Sequence, residues 1–355
     1  VEENSYETLA GMKLVLASGQ MFDTGDQNCN DMLKEQTPEL YQGLLSLREK
    51  VVASPRLVDL ISRKTAGKNT MGYSLKAFLD YSDAAGLLSH LMVGSEGTLA
   101  IITEITLKLN GIPEKMAAAV VNFPTLADGV KAATAIVRSG VAIARCEFLD
   151  PSSIKHVNKH DNLTLKEAPT LFFEFHGSPK GVEEDAQSVK EIVNEFSGSD
   201  FEWTSDEGAR RKLWQARHNF HWAVVANNPG KRTVSTDTAV PLSKLAEAVQ
   251  FAEELLTKSG YAHCIIGHVA DGNFHCSIVT DPERPEELKI IRDLAHQLTT
   301  KIIEMGGTCT GEHGIGAVKI ADLIHETGAE AVDVMRSIKK ALDPNGILNP
   351  GKVFN

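Results

Sequence analysis

Residues 264–279, CIIGHVADGNFHCSIV, read as two β-strands around Asp271-Gly272. An Asp-Gly pair between alternating residues is a strong signal for a tight hairpin. With that turn, Ala270 faces Asn273, Val269 faces Phe274 and His268 faces His275. Directly opposed residues on one face bring their Cβ atoms to about 5 Å. Two imidazoles at that separation can share a metal ion. A slip of one residue would send them to opposite faces. The pairing alone also leaves open a plainer reading, two histidines on a solvated hairpin face.

Outward from this hairpin, strands and helices alternate from residue 116 onward. AAAVVNF, ARCEFLD, APTLFFEFHGS and RTVSTDTAVP read as strands, rich in β-branched and aromatic residues. TLADGVKAATAIVRSG reads as a helix capped by Thr125, and KGVEEDAQSVKEIVNEF as an amphipathic helix. SDEGARRKLWQARHNFHWAVVA reads as one longer helix capped by Ser205 or Asp206. LSKLAEAVQFAEELLTKSG is a helix ended by Gly260, PEELKIIRDLAHQLTTKIIEMGG another, and VDVMRSIKKAL the last. Before residue 116, MKLVLASGQMFDTG is a hairpin-like pair around Ser18-Gly19, and residues 38–66 are helical. KNTMGYSLKAFLDY turns into a short helix, and LAIITEITLKL is a strand. The order is α+β, with little sign of a regular parallel core.

Composition bounds the function. The 355 residues carry 36 Lys+Arg against 47 Asp+Glu, a formal charge of −11. Nucleic-acid binding needs a basic face, so it is disfavoured as the main activity. No run approaches ~18 apolar residues, so no transmembrane helix is expected. The first residues, VEENSYETLAG, have neither the basic nor the apolar region of a signal peptide. Five scattered cysteines without a CxxC pair argue against a disulfide framework and for a reducing compartment. The expected location is cytoplasmic, with peripheral attachment to the inner membrane allowed.

Three further stretches carry chemistry. GTCTGEHGIG, residues 307–316, sets Glu312 and His313 among glycines that let a backbone approach a ligand. Taken alone, such a pair is more often a turn than a site. A carboxylate beside two histidines, however, is a familiar catalytic metal set. In RRKLWQARHNFHWAVV, Arg217 and His221 share a helical face, and Arg217 can clamp a carboxylate. A plain surface helix is the simpler alternative there. GSEGTLAIIT, residues 94–103, offers backbone N–H groups before a strand but is neither a Rossmann nor a Walker loop. No G-x-S-x-G elbow or H-E-x-x-H motif occurs.

GSEGTLAIIT, GHVADGNFH, GTCTGEHGIG and LDPNGILNPGKVF, in this order and spacing, resemble the FAD-linked oxidoreductases of the vanillyl-alcohol-oxidase type. The resemblance covers essentially the whole chain. It is nearest to the group of D-lactate dehydrogenases, glycolate oxidases and D-2-hydroxyglutarate dehydrogenases. APTLFFEFHGS and LWQARHN are most similar to the D-lactate dehydrogenases, while residues 4–26 and KNTMGYSL are similar to variants fused to an iron–sulfur domain. The resemblance implies a partial FAD-binding domain over residues 1–114, holding only the second lobe of a two-lobed domain. A cap domain with an antiparallel sheet, flanking helices and the metal site would follow over 115–335, and residues 336–355 would return to the FAD domain. The Gly-rich loop of the first lobe is not found, so the chain reads as a fragment or truncated form.

The same resemblance implies a mechanism. His268, His275 and Glu312 would hold a divalent metal, zinc or manganese. Arg217 would pair with the substrate carboxylate, and His313 would take the hydroxyl proton as general base. Gly94, Glu96, Gly97, Leu99, Ile101 and Ile102 lie where the family touches FAD, and Asn349 returns to the flavin edge. The substrate would be a small D-2-hydroxy acid, oxidised to the 2-oxo acid by hydride transfer to FAD. The acceptor would be a quinone, a cytochrome or an electron-transfer flavoprotein, and a homodimer is allowed. Ser235 stands where the hydroxyglutarate branch has a Lys, and His221 where it has a small hydroxyl residue. A second-carboxylate site is weakened by these changes, which favours D-lactate. The competing readings are a flavin-free metal hydrolase on the same His2Glu set and an inactive chain that keeps only the cap and its metal site.

Overall fold

In the computed structural model, which describes residues 4–354, the chain divides into two compact units. Residues 111–307 form an inserted unit, and residues 4–110 with 308–354 form the flanking unit.

The flanking unit is built on a small antiparallel sheet. β1 (Leu9–Val15), β2 (Met21–Asp23) and β3 (Ile101–Leu107) lie in the order β2-β1-β3. The expected hairpin around Ser18-Gly19 is present, with Leu14 opposite Phe22 and Gly19 at φ +86°. Met12, Leu14 and Phe22 are buried, as are Leu33, Leu44 and Leu87 on helices of this unit. The helix expected over 38–66 is two helices, Pro38–Val52 and Pro55–Lys64. Pro55 lacks an N–H and starts the second, while Ser54 Oγ caps it by accepting from Leu57 N at 3.3 Å. Residues 308–335, assigned with the cap from sequence, fall in the flanking unit. Two contacts hold them there: Thr70 N donates to Thr310 O at 3.1 Å, and Lys64 pairs with Glu326 at 2.8 Å. The last helix runs Ile320–Leu342, longer than expected, with a break at Gly328 (φ +76°).

The inserted unit is one eight-stranded antiparallel sheet. Its strands are β4 (Lys115–Asn122), β5 (Arg145–Leu149), β6 (Thr170–Gly177), β7 (Ser199–Thr204), β8 (Arg232–Ser235), β9 (Thr238–Ala239), β10 (His263–His268) and β11 (Asn273–Thr280). They run β7-β4-β6-β5-β10-β11-β8, with β9 paired to β11. Both faces are covered, which explains near-continuous apolar strands such as TLFFEF. On one face Phe148, Phe173, Phe274 and Ile278 pack against Val130, Val189, Ala252 and Leu298 of four helices. On the other, Val120, Leu149, Phe172 and Ile266 meet Ile154, Trp214, Phe220 and Val224.

Three local expectations change. The long helix breaks at Asn219 into Glu207–His218 and Phe220–Asn227, and Asp206 caps the first by accepting from Ala209 N at 2.8 Å. The helix Pro151–Asp161, capped by Asp150, and the polar strand β7 were not anticipated. The third change is in the histidine hairpin. Its connection is the four residues Val269–Gly272, not a two-residue turn. His268 faces Asn273, and His275 faces Ile266. The slip is two residues, so both histidines keep one face and become diagonal neighbours. No helix among the described residues is long and apolar enough to cross a membrane.

Candidate active site

One carboxylate organises the polar part of the inserted unit. Glu147 stands in β5 between Cys146 and Phe148 and is 8% exposed. Strand alternation sends Cys146 and Phe148 into one core and Glu147 to the opposite face. β5 pairs with β10 (Phe148 opposite Gly267), which brings His268 alongside. His268 Nδ1 lies 2.6 Å from Glu147 Oε1. Arg217 Nε donates to Glu147 Oε2 at 3.1 Å, and its Nη2 is 3.0 Å from the same oxygen. Burial pushes the Glu147 carboxyl up. The His268 hydrogen bond and the Arg217 charge outweigh it and hold the group below the usual carboxylate range.

His275 completes this face. It is 6% exposed, with Nδ1 at 3.3 Å from Thr236 O and 3.6 Å from Asp237 Oδ1. The two imidazole rings are 5.7 Å apart and nearly perpendicular, and they offer nitrogens within 4.8 Å of one another. Each Nδ1 faces an oxygen acceptor, so in the neutral ring a proton placed there leaves the lone pair on Nε2. Asn273, fully buried, donates to Asp237 Oδ1 at 2.9 Å and Thr238 O at 2.8 Å, fixing the corner beside His275. Two imidazoles so arranged fit a divalent cation such as zinc, and manganese where oxygen ligands join them. Of the two positions read from the resemblance as bearing on substrate choice, Ser235 Oγ lies 3.3 Å from Ser277 Oγ, and His221 is exposed beside Trp222.

In the flanking unit, GSEGTLAIIT and GTCTGEHGIG come together. Glu96 accepts from Ile315 N at 2.6 Å and from Gly316 N at 2.8 Å. Its own carbonyl accepts from Asn349 Nδ2 at 2.6 Å. The Glu96 carboxylate is therefore committed to the 314–316 loop. Leu99 is fully buried, whereas Ile101 and Ile102 are exposed on β3. A side chain added at Gly94 (φ +77°) would find only Gly72 O, at 4.0 Å, and one at Gly97 (φ +69°) only Asn349 Nδ2, at 3.8 Å. That bare backbone leaves room for a flat cofactor to approach. Glu312 Oε2 pairs with Lys68 at 2.6 Å, and His313 Nε2 is 3.8 Å from Glu312 Oε1. A cavity of about 370 Å³ in this unit is lined by Tyr6, Lys64, Lys68, Tyr73, Gly94 and Glu312, among others.

The structure thus joins His268, His275 and Arg217 on one sheet face of the inserted unit. It gathers Glu96, Gly97 and Asn349 in the flanking unit, which also carries Glu312 and His313. Sequence reasoning missed Glu147, which stands mid-strand between Cys146 and Phe148, and Asp237, which stands between Thr236 and Thr238. The cysteines are bystanders. All five are free and buried, and burial pushes Cys264 and Cys276 up to about 12.

Residues 112–353 match the family model for FAD linked oxidases, C-terminal domain. The chain belongs to the FAD-linked oxidases. It is 46% identical over 272 residues to a probable mitochondrial D-lactate dehydrogenase of Danio rerio, covering 76% of this chain and 55% of that protein. It is 43% identical over 357 residues to the mitochondrial D-lactate dehydrogenase (cytochrome) of Arabidopsis thaliana, covering 100% of this chain and 60% of the other. The corresponding Kluyveromyces lactis protein is 36% identical over 282 residues, 77% of this chain and 48% of its own. This FAD-linked oxidase chain spans about half the length of the curated relatives it matches. Its fold is shared with p-cresol methylhydroxylase in a substrate-bound crystal structure (TM-score 0.62, 16% identity, 98% of this chain and 65% of that one). The expected vanillyl-alcohol-oxidase architecture is therefore met. Family membership gives no support to the flavin-free hydrolase. The cytoplasmic location is overturned, because all three relatives are named mitochondrial. Buried unpaired thiols suit any reducing interior, so the cysteine pattern could not distinguish the compartments.

Proposed function

We propose that this chain supplies the substrate-binding and catalytic residues of an FAD-dependent D-2-hydroxy-acid dehydrogenase. D-lactate is oxidised to the 2-oxo acid, in mitochondria, with a cytochrome as electron acceptor. The observation that carries the reading is Glu147, which bridges Arg217 and His268 on the sheet face that also holds His275. Supporting it are the names of the relatives, D-lactate dehydrogenases from animal, plant and yeast.

Arg217 binds the substrate carboxylate, its guanidinium oriented by Glu147. His268 and His275 bind a divalent cation, zinc or manganese. From the flanking unit, Glu312 is assigned as third ligand and His313 as the base that accepts the hydroxyl proton. Both assignments rest on the resemblance of GTCTGEHGIG and on donor chemistry. When bound, FAD supplies the hydride acceptor and the cation supplies Lewis acidity. The bare backbone at Gly94 and Gly97, with Ile101, Ile102 and Asn349, lies on the FAD side. Ser235 and His221 provide no fixed cation for a second carboxylate, which favours lactate over hydroxyglutarate.

The test is a visible spectrum of the purified protein with metal analysis, followed by anaerobic addition of substrate. Flavin bands bleached by D-lactate much faster than by D-2-hydroxyglutarate are expected. Equal bleaching by both acids would overturn the substrate assignment, and retained metal without flavin reduction would overturn the dehydrogenase reading.

A further inference from the structure

We propose that Glu147 is a positioning residue that couples cation binding to carboxylate binding. The inference rests on the functional reading above and deepens it. A carboxylate in the middle of a buried strand is costly unless its oxygens are hydrogen-bonded. Here each oxygen has its own partner. Oε1 takes His268 Nδ1 at 2.6 Å, and Oε2 takes Arg217 through Nε at 3.1 Å and Nη2 at 3.0 Å. Three elements far apart in sequence, β5, β10 and the helix Glu207–His218, meet at this one side chain.

The geometry does two things. An acceptor at Nδ1 fixes the His268 ring and its tautomer, so that Nε2 carries the lone pair for a cation; such carboxylate–imidazole support is a recurrent feature of metal sites. The contacts at Nε and Nη2 fix the guanidinium plane, so that its Nη1 edge is the one presented to a ligand. Glu147 itself touches neither cation nor substrate. Its loss should loosen both groups together.

The face offers an internal control. Glu174 on β6 is a second buried acid, accepting from Arg210 Nη1 at 3.1 Å and lying 2.9 Å from His176 Nε2. It makes no contact with His268 or Arg217 among those described.

The experiment compares wild type, E147Q and E174Q by Mn2+ titration calorimetry of the metal-free protein, by KM and kcat for D-lactate, and by thermal midpoint. E147Q is expected to weaken Mn2+ affinity about 10- to 100-fold, as losing an outer-shell partner does. It should raise KM about tenfold with a smaller change in kcat, while E174Q leaves Mn2+ affinity and KM as in wild type. E147Q matching wild type in both, or E174Q producing the same losses, overturns the inference. Should E147Q fail to fold, 15N shifts of His268 in the metal-free wild type decide: a proton on Nδ1 supports the inference, and one on Nε2 overturns it. A wild type that neither takes up Mn2+ nor oxidises D-lactate removes the functional reading and this inference with it. A wild type that does both beside an unaffected E147Q removes only the inference.

Discussion

Glu96 and Ile315 are joined by a 2.6 Å hydrogen bond, 219 residues apart in sequence, in which the Glu96 carboxylate accepts from the Ile315 backbone N–H. With Gly316 N on the other oxygen at 2.8 Å, the side chain clasps the loop that follows Glu312 and His313. Glu96 does so from a left-handed backbone, φ +55°. That conformation is unfavourable for a residue with a side chain and persists only when surroundings hold it. Replacing Glu96 with Ala should cost about 1.5–3 kcal/mol, the range for hydrogen bonds to a charged group. E96G relieves the backbone but also lacks the clasp. Hydrogen exchange at the Ile315 and Gly316 amides should therefore accelerate in both variants, with E96G the more stable of the two. Unchanged exchange at those amides would show that the loop holds itself.

Gly272 ends the histidine hairpin at φ +72°, and a Cβ there would run into the carbonyl oxygen of Val240. Gly230 has a similar φ, +78°, but open space around it. The two separate backbone strain from steric clash. Gly230→Ala should cost about 1 kcal/mol from the left-handed conformation alone. Gly272→Ala should cost several-fold more and disturb His268 and His275, because Val240 N also donates to Gly272 O at 3.0 Å. Urea unfolding of both variants, with Mn2+ titration of each, checks this. Equal midpoints would mean the corner at Val240 yields easily.

Which parts of this were legible in the sequence follows the range of the forces involved. Thr125 as a cap, Gly260 as a helix stop and the strand LAIITEITLKL depend on neighbours a few residues away, and all are where local chemistry puts them. The hairpin was legible except for its register: Asp271-Gly272 signals a turn, but the connection also takes in Val269 and Ala270, and Gly272 O accepts from Val240 N of another segment. The shared face of the two histidines survived since a slip of two residues preserves alternation. Glu147 was not legible as a site residue. Its partners lie 121 and 70 residues away, and only the tertiary fold brings them together.

The Glu147–Arg217 pair should be strongly coupled in stability. Both side chains are largely buried, 10% and 14% exposed. Removing one member of such a pair leaves the other without its countercharge and costs about 3–5 kcal/mol. R217M should therefore destabilise the protein more than the double variant R217M/E147Q, in which the residual charge is gone. The cycle is read from urea midpoints of the two single variants, the double variant and wild type. Strict additivity would mean that His268 alone suffices to hold the ionised Glu147. Under the proposed role of Arg217 in binding the substrate carboxylate, the double variant should not recover D-lactate oxidation even where it recovers stability.

Asp150 gives the clearest pH dependence. It caps the helix Pro151–Asp161, accepting from Ser153 N at 2.7 Å and Ser153 Oγ at 2.5 Å, yet burial pushes its carboxyl up to about 6. The unfolded chain should titrate near the ordinary 3.8. Between these values the folded state binds the extra proton, so stability falls as pH rises from about 4 to about 6 and is level above. The full span corresponds to roughly 3 kcal/mol, at about 1.36 kcal/mol for each pH unit between the folded and unfolded midpoints. D150N cannot titrate and is itself a good helix cap. Subtracting its stability from that of wild type at each pH cancels the other carboxylates. The difference should favour wild type most near pH 4 and decline by about pH 6.5, beyond the folded midpoint. A flat difference across that range would mean that the Ser153 hydrogen bonds fully offset burial and keep Asp150 ionised throughout.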